Sequence, residues 1–349
     1  MEHRQGISVI IPLYNKVETV RRAIDSALAQ SEVDVEVIVI DDGSTDGSAE
    51  LVSRYGNRIV FERQLRAGPS AARNRGVARA GNSLLGFLDA DDEYVPGCLA
   101  AHVECRRLQP DTKISLISFR VLRGVEQVAD EHLTDRVKGG AGTSGSVFVR
   151  HPCAAGVINV HVGGVCVNRD LFDAVGGFDP GLQCWEVSDF LYRIAVGGTR
   201  ACFIGRHGLI VHSDPENSQF EKLHEAPEYT ERFLLRLLAH IAELPAAERA
   251  LFCGAIGDLS HSLWKVGALA AFKRAAMQAS RSRGLPKGLG RGQLAILAAI
   301  PLPLLRLLWH LKASCAGRAL LGKDRMGPGP GRRRRVKDPS ATTSGSLRV

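Results

Sequence analysis

Leu84-Leu85-Gly86-Phe87-Leu88-Asp89-Ala90-Asp91-Asp92-Glu93 is an apolar run of strand length that stops abruptly at a cluster of carboxylates. Side chains at i and i+2 of an extended segment point to the same side. Asp89 and Asp91 therefore converge at the mouth of a buried strand. Carboxylates that close repel unless something positive joins them, and a hard divalent cation with oxygen ligands fits that need. A strand ending in an acidic, solvated turn fits the same residues, so the surrounding elements must separate the two.

Upstream, Ile7-Ser8-Val9-Ile10-Ile11-Pro12 reads as a buried strand ended by proline. Thr19–Gln30 has apolar residues at Val20, Ala23, Ile24, Ala27 and Leu28, which is helical spacing. Val35–Ile40 is a second apolar run, ending at Asp41-Asp42-Gly43-Ser44. Ser44–Ser48 offers hydroxyls and carboxylates to cap a following helix. Arg58–Arg63 is a third short strand, Gly68–Ala80 a helix with Pro69 in its first turn, and Leu84–Leu88 the fourth strand. The alternation predicts a three-layer α/β domain with a mostly parallel sheet. Ligands bind such sheets outside the carboxyl ends of the strands. Pro12-Leu13-Tyr14-Asn15, Asp41-Asp42 and Asp89–Asp92 all fall there, so they should face one crevice.

The net charge of +8 is unevenly placed. Residues 281–349 carry 15 Lys and Arg against Asp324 and Asp338, a net of +13, which leaves −5 for residues 1–280. A basic tail on an acidic body argues against a nucleic-acid-binding core, and no nucleic-acid partner is expected. Met1–Gly6 runs straight into the first strand, with no secretory signal pattern. Eight cysteines are scattered with no Cys-x-x-Cys spacing. Reduced thiols in cytosol are expected, rather than a zinc site or disulfide framework.

Three regions are predicted: a domain over residues 1–225, with its halves meeting near residue 93; a helical extension over 226–325; and a disordered basic tail over 326–349. Within the extension, Leu294–Leu311 is strongly apolar but contains Pro301, Pro303 and Arg306. That is too interrupted for a span of ~20 apolar residues. It suits either packing on the domain or peripheral attachment to an anionic membrane surface, helped by its basic neighbours.

Four pieces together resemble the nucleotide-binding half of an inverting family 2 glycosyltransferase with the GT-A fold. They are Ser8-Val9-Ile10-Ile11-Pro12-Leu13-Tyr14-Asn15, Val39–Asp46, Gly68–Gly76 and Phe87–Asp92, and a looser match continues through Val175-Gly176-Gly177-Phe178-Asp179 to about His212. The resemblance implies transfer of a sugar from a nucleotide-diphospho-sugar, a UDP-sugar first, to a glycan or glycolipid hydroxyl in cell-surface polysaccharide or glycolipid assembly. It implies that Pro12, Tyr14 and Asn15 border the base and that Asp42, with Asp41 close by, accepts a hydrogen bond from it. Arg73 would sit near the diphosphate or hold the acidic site. Asp89 and Asp91 fit the family's DxD motif, Asp89 contacting ribose or a metal-bound water and Asp91 ligating Mg²⁺ or Mn²⁺. Asp92 is a competing ligand, and His212 matches a late histidine near the metal or diphosphate. A Gly-x-Gly-x-x-Gly turn, which a dinucleotide-binding dehydrogenase would need after the first strand, is missing.

Inversion requires a base for the acceptor hydroxyl. Relatives supply it from a Glu-Asp pair after the Gly-Gly-Phe-Asp turn, and here Glu186 is followed by Val187. Three readings follow: Glu186 is the base; Asp189, at i+3 on the same helix face, replaces or assists it; or the protein is a catalytically lapsed binder of nucleotide sugar.

Overall fold

The computed structural model describes residues 6–131, 146–149, 160–213, 226–240 and 268–281. By compactness the chain divides into Met1–Ile300 and Pro301–Val349, and every described residue belongs to the first unit. The apolar Leu294–Leu311 stretch and the basic tail lie outside the described residues.

The first half is the expected alternation: β1 (Gly6–Leu13), α1 (Val20–Leu28), β2 (Asp34–Asp41), α2 (Ser48–Ser53), β3 (Val60–Arg63), α3 (Pro69–Arg79) and β4 (Leu84–Phe87). The second half adds β5 (Glu93–Tyr94), α4 (Cys98–Leu108), β6 (Ile114–Arg123), β7 (Glu126–Glu131), β8 (Ser146–Val149), β9 (Val165–Asn168), α5 (Arg169–Ala174), α6 (Glu186–Val196) and β10 (Ala201–His212). Two helices follow, α7 (Pro227–His240) and α8 (Leu269–Arg281).

All ten strands join one sheet along the path β3-β2-β1-β4-β9-β6-β10-β5, with β7 on β6 and β8 on β10. β1, β2, β3 and β4 pair in parallel, and β6 and β10 continue in the same direction after the antiparallel β9. The sheet is therefore mostly parallel, as the alternation required. Central strands are covered on both faces, which is why they read as unbroken apolar runs. Ile7, Val9, Ile10, Ile11, Ile38, Val39 and Ile40 are all buried, each contributing about 1.5–3 kcal/mol relative to exposure. Helix α3 lies so close to β1 that a Cβ on Gly76 would meet Ile10 Cγ2 at 2.4 Å.

One expectation is corrected. Cys105 in α4 and Cys202 in β10 form a disulfide across a sequence separation of 97. Helix α4 packs against β10, a tertiary proximity that no local Cys spacing announces. Cys98, Cys166 and Cys184 are free and buried.

Candidate active site

Parallel pairing places the ends of β1, β2 and β4 on one edge, and the loops leaving them are tied together. The Asp42 amide donates to the Leu13 carbonyl at 2.7 Å, and the Leu88 amide to Ile10 at 3.0 Å. The acidic run turns tightly after β4, the Asp92 amide bonding the Asp89 carbonyl at 3.1 Å. It is pinned from the α1 side by Thr19 Oγ1 to the Ala90 carbonyl at 2.9 Å, by Arg22 to the Asp91 carbonyl, and by Lys16 Nζ to the Asp91 carboxylate at 2.6 Å. A cavity of about 760 Å³ opens at this edge.

Asp89, Asp92 and His161 meet in its floor, with one ligand atom from each lying within 4.8 Å of the others. His161 Nε2 is 3.3 Å from Asp92 Oδ2 and 3.7 Å from Asp89 Oδ2. Asp92 is 2% exposed; its Oδ1 accepts from the His212 amide at 3.0 Å, while its buried Oδ2 has no hydrogen-bond partner. A buried acceptor left open is costly, and this one points into a cluster of two carboxylates and an imidazole. That donor set fits a divalent cation. Burial, then the Asp91 and Asp89 charges, raise the Asp92 carboxyl well above its ordinary value. Asp89 behaves oppositely: burial pushes it up, but the Arg73 charge, followed by His161 and Lys16, holds it below. Burial lowers the His161 imidazole, against the pull of Asp89 and Asp91.

Arg73 comes off α3 and is 3% exposed. Its Nη2 donates to Asp89 Oδ1 at 2.7 Å and its Nη1 to Glu186 Oε1 at 2.9 Å. Burial lowers its pKa, but the Asp89 and Glu186 charges more than compensate and raise it above the ordinary value. One guanidinium thus joins the acidic end of β4 to the start of α6.

Four phenylalanines hold α6 in place. Phe87 in β4 meets Phe178 edge-on at 5.2 Å, Phe178 meets Phe190 at 4.7 Å, and Phe172 meets Phe190 at 5.5 Å between centroids. Such pairs contribute roughly 0.5–1.5 kcal/mol each beyond burial. Gly177 passes so near them at φ +63° that a Cβ would meet Asn74 Oδ1 at 2.8 Å. Trp185, immediately before α6, adopts φ +67°, an outlier for an aromatic residue that costs about 1–3 kcal/mol. Glu186 and Val187 then line the cavity. Asp189 does not: it is fully buried, accepting from Arg193 Nε at 2.9 Å and pairing with Arg236.

At the β1 and β2 ends, Pro12, Tyr14 and Asp42 line the cavity. The Arg66 guanidinium lies 4.1 Å from the Tyr14 ring centroid. Asp42 shapes the loop before α3, accepting from Gln64 Nε2 at 2.7 Å, the Ala67 amide at 2.7 Å and the Gly68 amide at 2.8 Å. Asp41 is turned to Arg63 Nε at 2.8 Å and the Ser44 amide at 3.1 Å. Asn15, at φ +49°, accepts from the Thr45 amide at 2.8 Å. His212 lines the cavity too, with Nε2 2.9 Å from Glu93, beside the three-residue cluster rather than within it. Among the described residues, then, Asp89, Asp91, Asp92, Arg73 and Glu186 share one cavity, and Asp41, Asn15 and Asp189 serve the walls behind it.

His161 is the site residue that sequence reasoning missed, together with Lys16 and Arg66. Its placement follows from topology: β9 runs antiparallel to β4, with Gly86 opposite Cys166. The residues before β9 must therefore meet the residues after β4. No local pattern around His161 carries that information.

A curled sheet with an acidic turn at its carboxyl edge and a deep adjoining cavity is the GT-A arrangement. Staphylococcus aureus TarS 1–349 superposes with TM-score 0.61 over 89% of this chain and 92% of that one, at 15% identity; its crystal structure in complex with UDP-GlcNAc gives TM-score 0.62 over the same shares. Residues 8–121 match the glycosyl transferase family 2 model. An uncharacterized glycosyltransferase, YibD, of Escherichia coli K12 is 41% identical over 99 residues, 28% of this chain and 29% of that protein. The succinoglycan biosynthesis protein ExoU of Rhizobium meliloti is 43% identical over 97 residues, 27% of this chain and 28% of that protein. The matches thus span less than a third of these relatives' length.

Proposed function

We propose that the protein is an inverting, metal-assisted glycosyltransferase that moves a sugar from a nucleotide-diphospho-sugar to a hydroxyl acceptor. The single observation that carries this reading is the Glu186–Arg73–Asp89 chain, which places a cavity-facing carboxylate and a cation-fitting acidic cluster on the two ends of one guanidinium. Asp89, Asp92 and His161 would hold Mg²⁺ or Mn²⁺, with Asp91 as a further oxygen donor in the same cavity. Such a cation neutralises charge on a departing diphosphate. Tyr14 and Asp42 would border the base.

Glu186 removes the proton from the acceptor hydroxyl. The acceptor oxygen bonds the anomeric carbon from the face opposite the leaving group, and the bond from that carbon to the diphosphate oxygen breaks. Arg73 donates to Glu186 Oε1 and holds it at the cavity wall. The TarS complex makes a UDP-N-acetylhexosamine the first donor to test, and ExoU makes cell-surface polysaccharide the first acceptor class. No helix among the described residues is long and apolar enough to cross a membrane. We place the protein in the cytoplasm, with the basic residues beyond 281 offering attachment to an anionic bilayer; flotation of the chain with and without residues 285–349 tests this.

One observation favours a second reading, a lapsed binder of nucleotide sugar: Val187 faces the cavity where relatives supply the carboxylate. Release of nucleoside diphosphate from a panel of nucleotide sugars with Mn²⁺ separates the two. The transferase turns over, and the binder saturates without product.

A further inference from the structure

Helix α7 lies more than a hundred residues past the family-model match, yet it grips the segment that presents Glu186 at successive points. At the segment's start, Asp179 Oδ2 accepts from Arg232 Nη2 at 2.9 Å and from Arg236 Nη2 at 2.8 Å. In its middle, the Trp185 indole donates to the buried Thr230 Oγ1 at 3.0 Å, and its ring stacks on Phe233 at 6.0 Å and 15°. Beyond Glu186, the other arm of Arg236 pairs with the buried Asp189, and the Tyr192 hydroxyl donates to the Leu237 carbonyl at 3.0 Å.

The residue in the middle of this grip is the one with the outlying backbone. Trp185 at φ +67° sets the direction in which Glu186 leaves the loop, and such a conformation persists only where its surroundings over-determine it. Thr230 and Phe233 touch Trp185 itself, and Arg236 braces Asp179 and Asp189 on either side of it. Taking Glu186 as the base proposed above, we propose that α7 is the element that positions it, with Arg236 and Thr230 as positioning residues acting through Asp189 and Trp185. Arg236 ties the start of the loop to α6 through one planar fork, and a lysine offers only a point charge there. The spacing of Thr230, Phe233 and Arg236 along α7 puts all three on one helical face, which leaves the cavity itself untouched.

The test uses the full chain with Arg236→Met, Arg236→Lys and Thr230→Val. Thr230→Val removes the indole hydrogen bond without leaving a buried charge, so it keeps the test valid if Arg236→Met folds poorly. The expected result is a fall in kcat of about tenfold to a hundredfold in Arg236→Met and Thr230→Val, because small misplacements of a reacting group cost that much. Donor Kd stays within about twofold, since donor contacts lie on the β1, β2 and β4 edge, and Arg236→Lys recovers part of kcat. In a Trp264→Phe, Trp309→Phe background, Trp185 emission shifts to the red and acrylamide quenching rises in both variants. Wild-type kcat together with wild-type Trp185 quenching would overturn the proposal. If the parent chain turns over no sugar nucleotide, the base assignment fails, and Trp185 quenching alone then judges whether α7 holds the loop.

Discussion

Glu186 accepts a hydrogen bond from Arg73 at 2.9 Å, and the same guanidinium reaches Asp89 at 2.7 Å. The carboxylate proposed as base and the cluster proposed to hold the cation are therefore joined through one nearly buried guanidinium. Removing a partner from such a group strands charge, at a cost of about 3–5 kcal/mol. Arg73→Met should accordingly lower stability by that order in urea unfolding and abolish sugar transfer. Arg73→Lys should keep more stability than activity, because a single ammonium cannot bridge both carboxylates. Equal loss of both in the lysine variant would argue that Arg73 is purely structural.

Asp92 is a buried acid beside Asp89 and Asp91. Burial and its acidic neighbours raise its folded pKa. The penalty for ionising it is thus absent below the unfolded value of about 3.9 and grows as pH rises toward the folded one. Asp92→Asn should raise the melting temperature in chelator at pH 7.5, by about 2 °C per kcal/mol of relief. The same variant should lose the stabilisation that Mn²⁺ gives the wild type. A lower melting temperature in chelator would contradict the penalty ascribed to its burial.

His102 makes a pH prediction far from the cavity. It is buried with Nδ1 2.7 Å from Ser115 Oγ, and burial, aided by Arg206 and Arg106, pushes its imidazole down to about 3. The unfolded value is about 6.5, so neutral His102 supports the fold above that pH. The support is lost as pH falls toward the folded value. Urea midpoints of the wild type should decline more steeply between those limits than midpoints of His102→Gln; parallel slopes would refute the assignment.

The Cys105–Cys202 disulfide closes a long loop through α4 and β10, a class of cross-link that contributes about 2–4 kcal/mol. Dithiothreitol should lower the unfolding midpoint of the wild type and leave Cys105→Ser/Cys202→Ser unchanged. An identical response in both proteins would show that the bond does not form in solution.

The parallel half of this fold was legible because each of its elements is a local pattern. Ile7–Pro12, Val35–Ile40 and Leu84–Leu88 are apolar runs bounded by turn residues, and their carboxyl ends supply Tyr14, Asp42 and Asp89–Asp92 to one cavity. What was not legible depends on pairings distant in sequence. His161 reaches Asp92 only because β9 is antiparallel to β4, and Cys105 finds Cys202 only because α4 lies on β10. Asp189 reads on paper as an alternative or partner to Glu186, one helical turn away. Arg193 and Arg236 hold it buried and off the cavity, and nothing near Asp189 in the sequence foretells Arg236.

Glu186 is proposed to remove the acceptor proton in a site that binds donor without it. The most direct measurement is nucleoside diphosphate release by wild type and Glu186→Gln, with the donor selected from a nucleotide-sugar panel in Mn²⁺ and donor Kd determined for both. Turnover by the wild type, a loss of at least about a hundredfold in Glu186→Gln, and equal donor affinity are expected. Full turnover by Glu186→Gln would contradict that role.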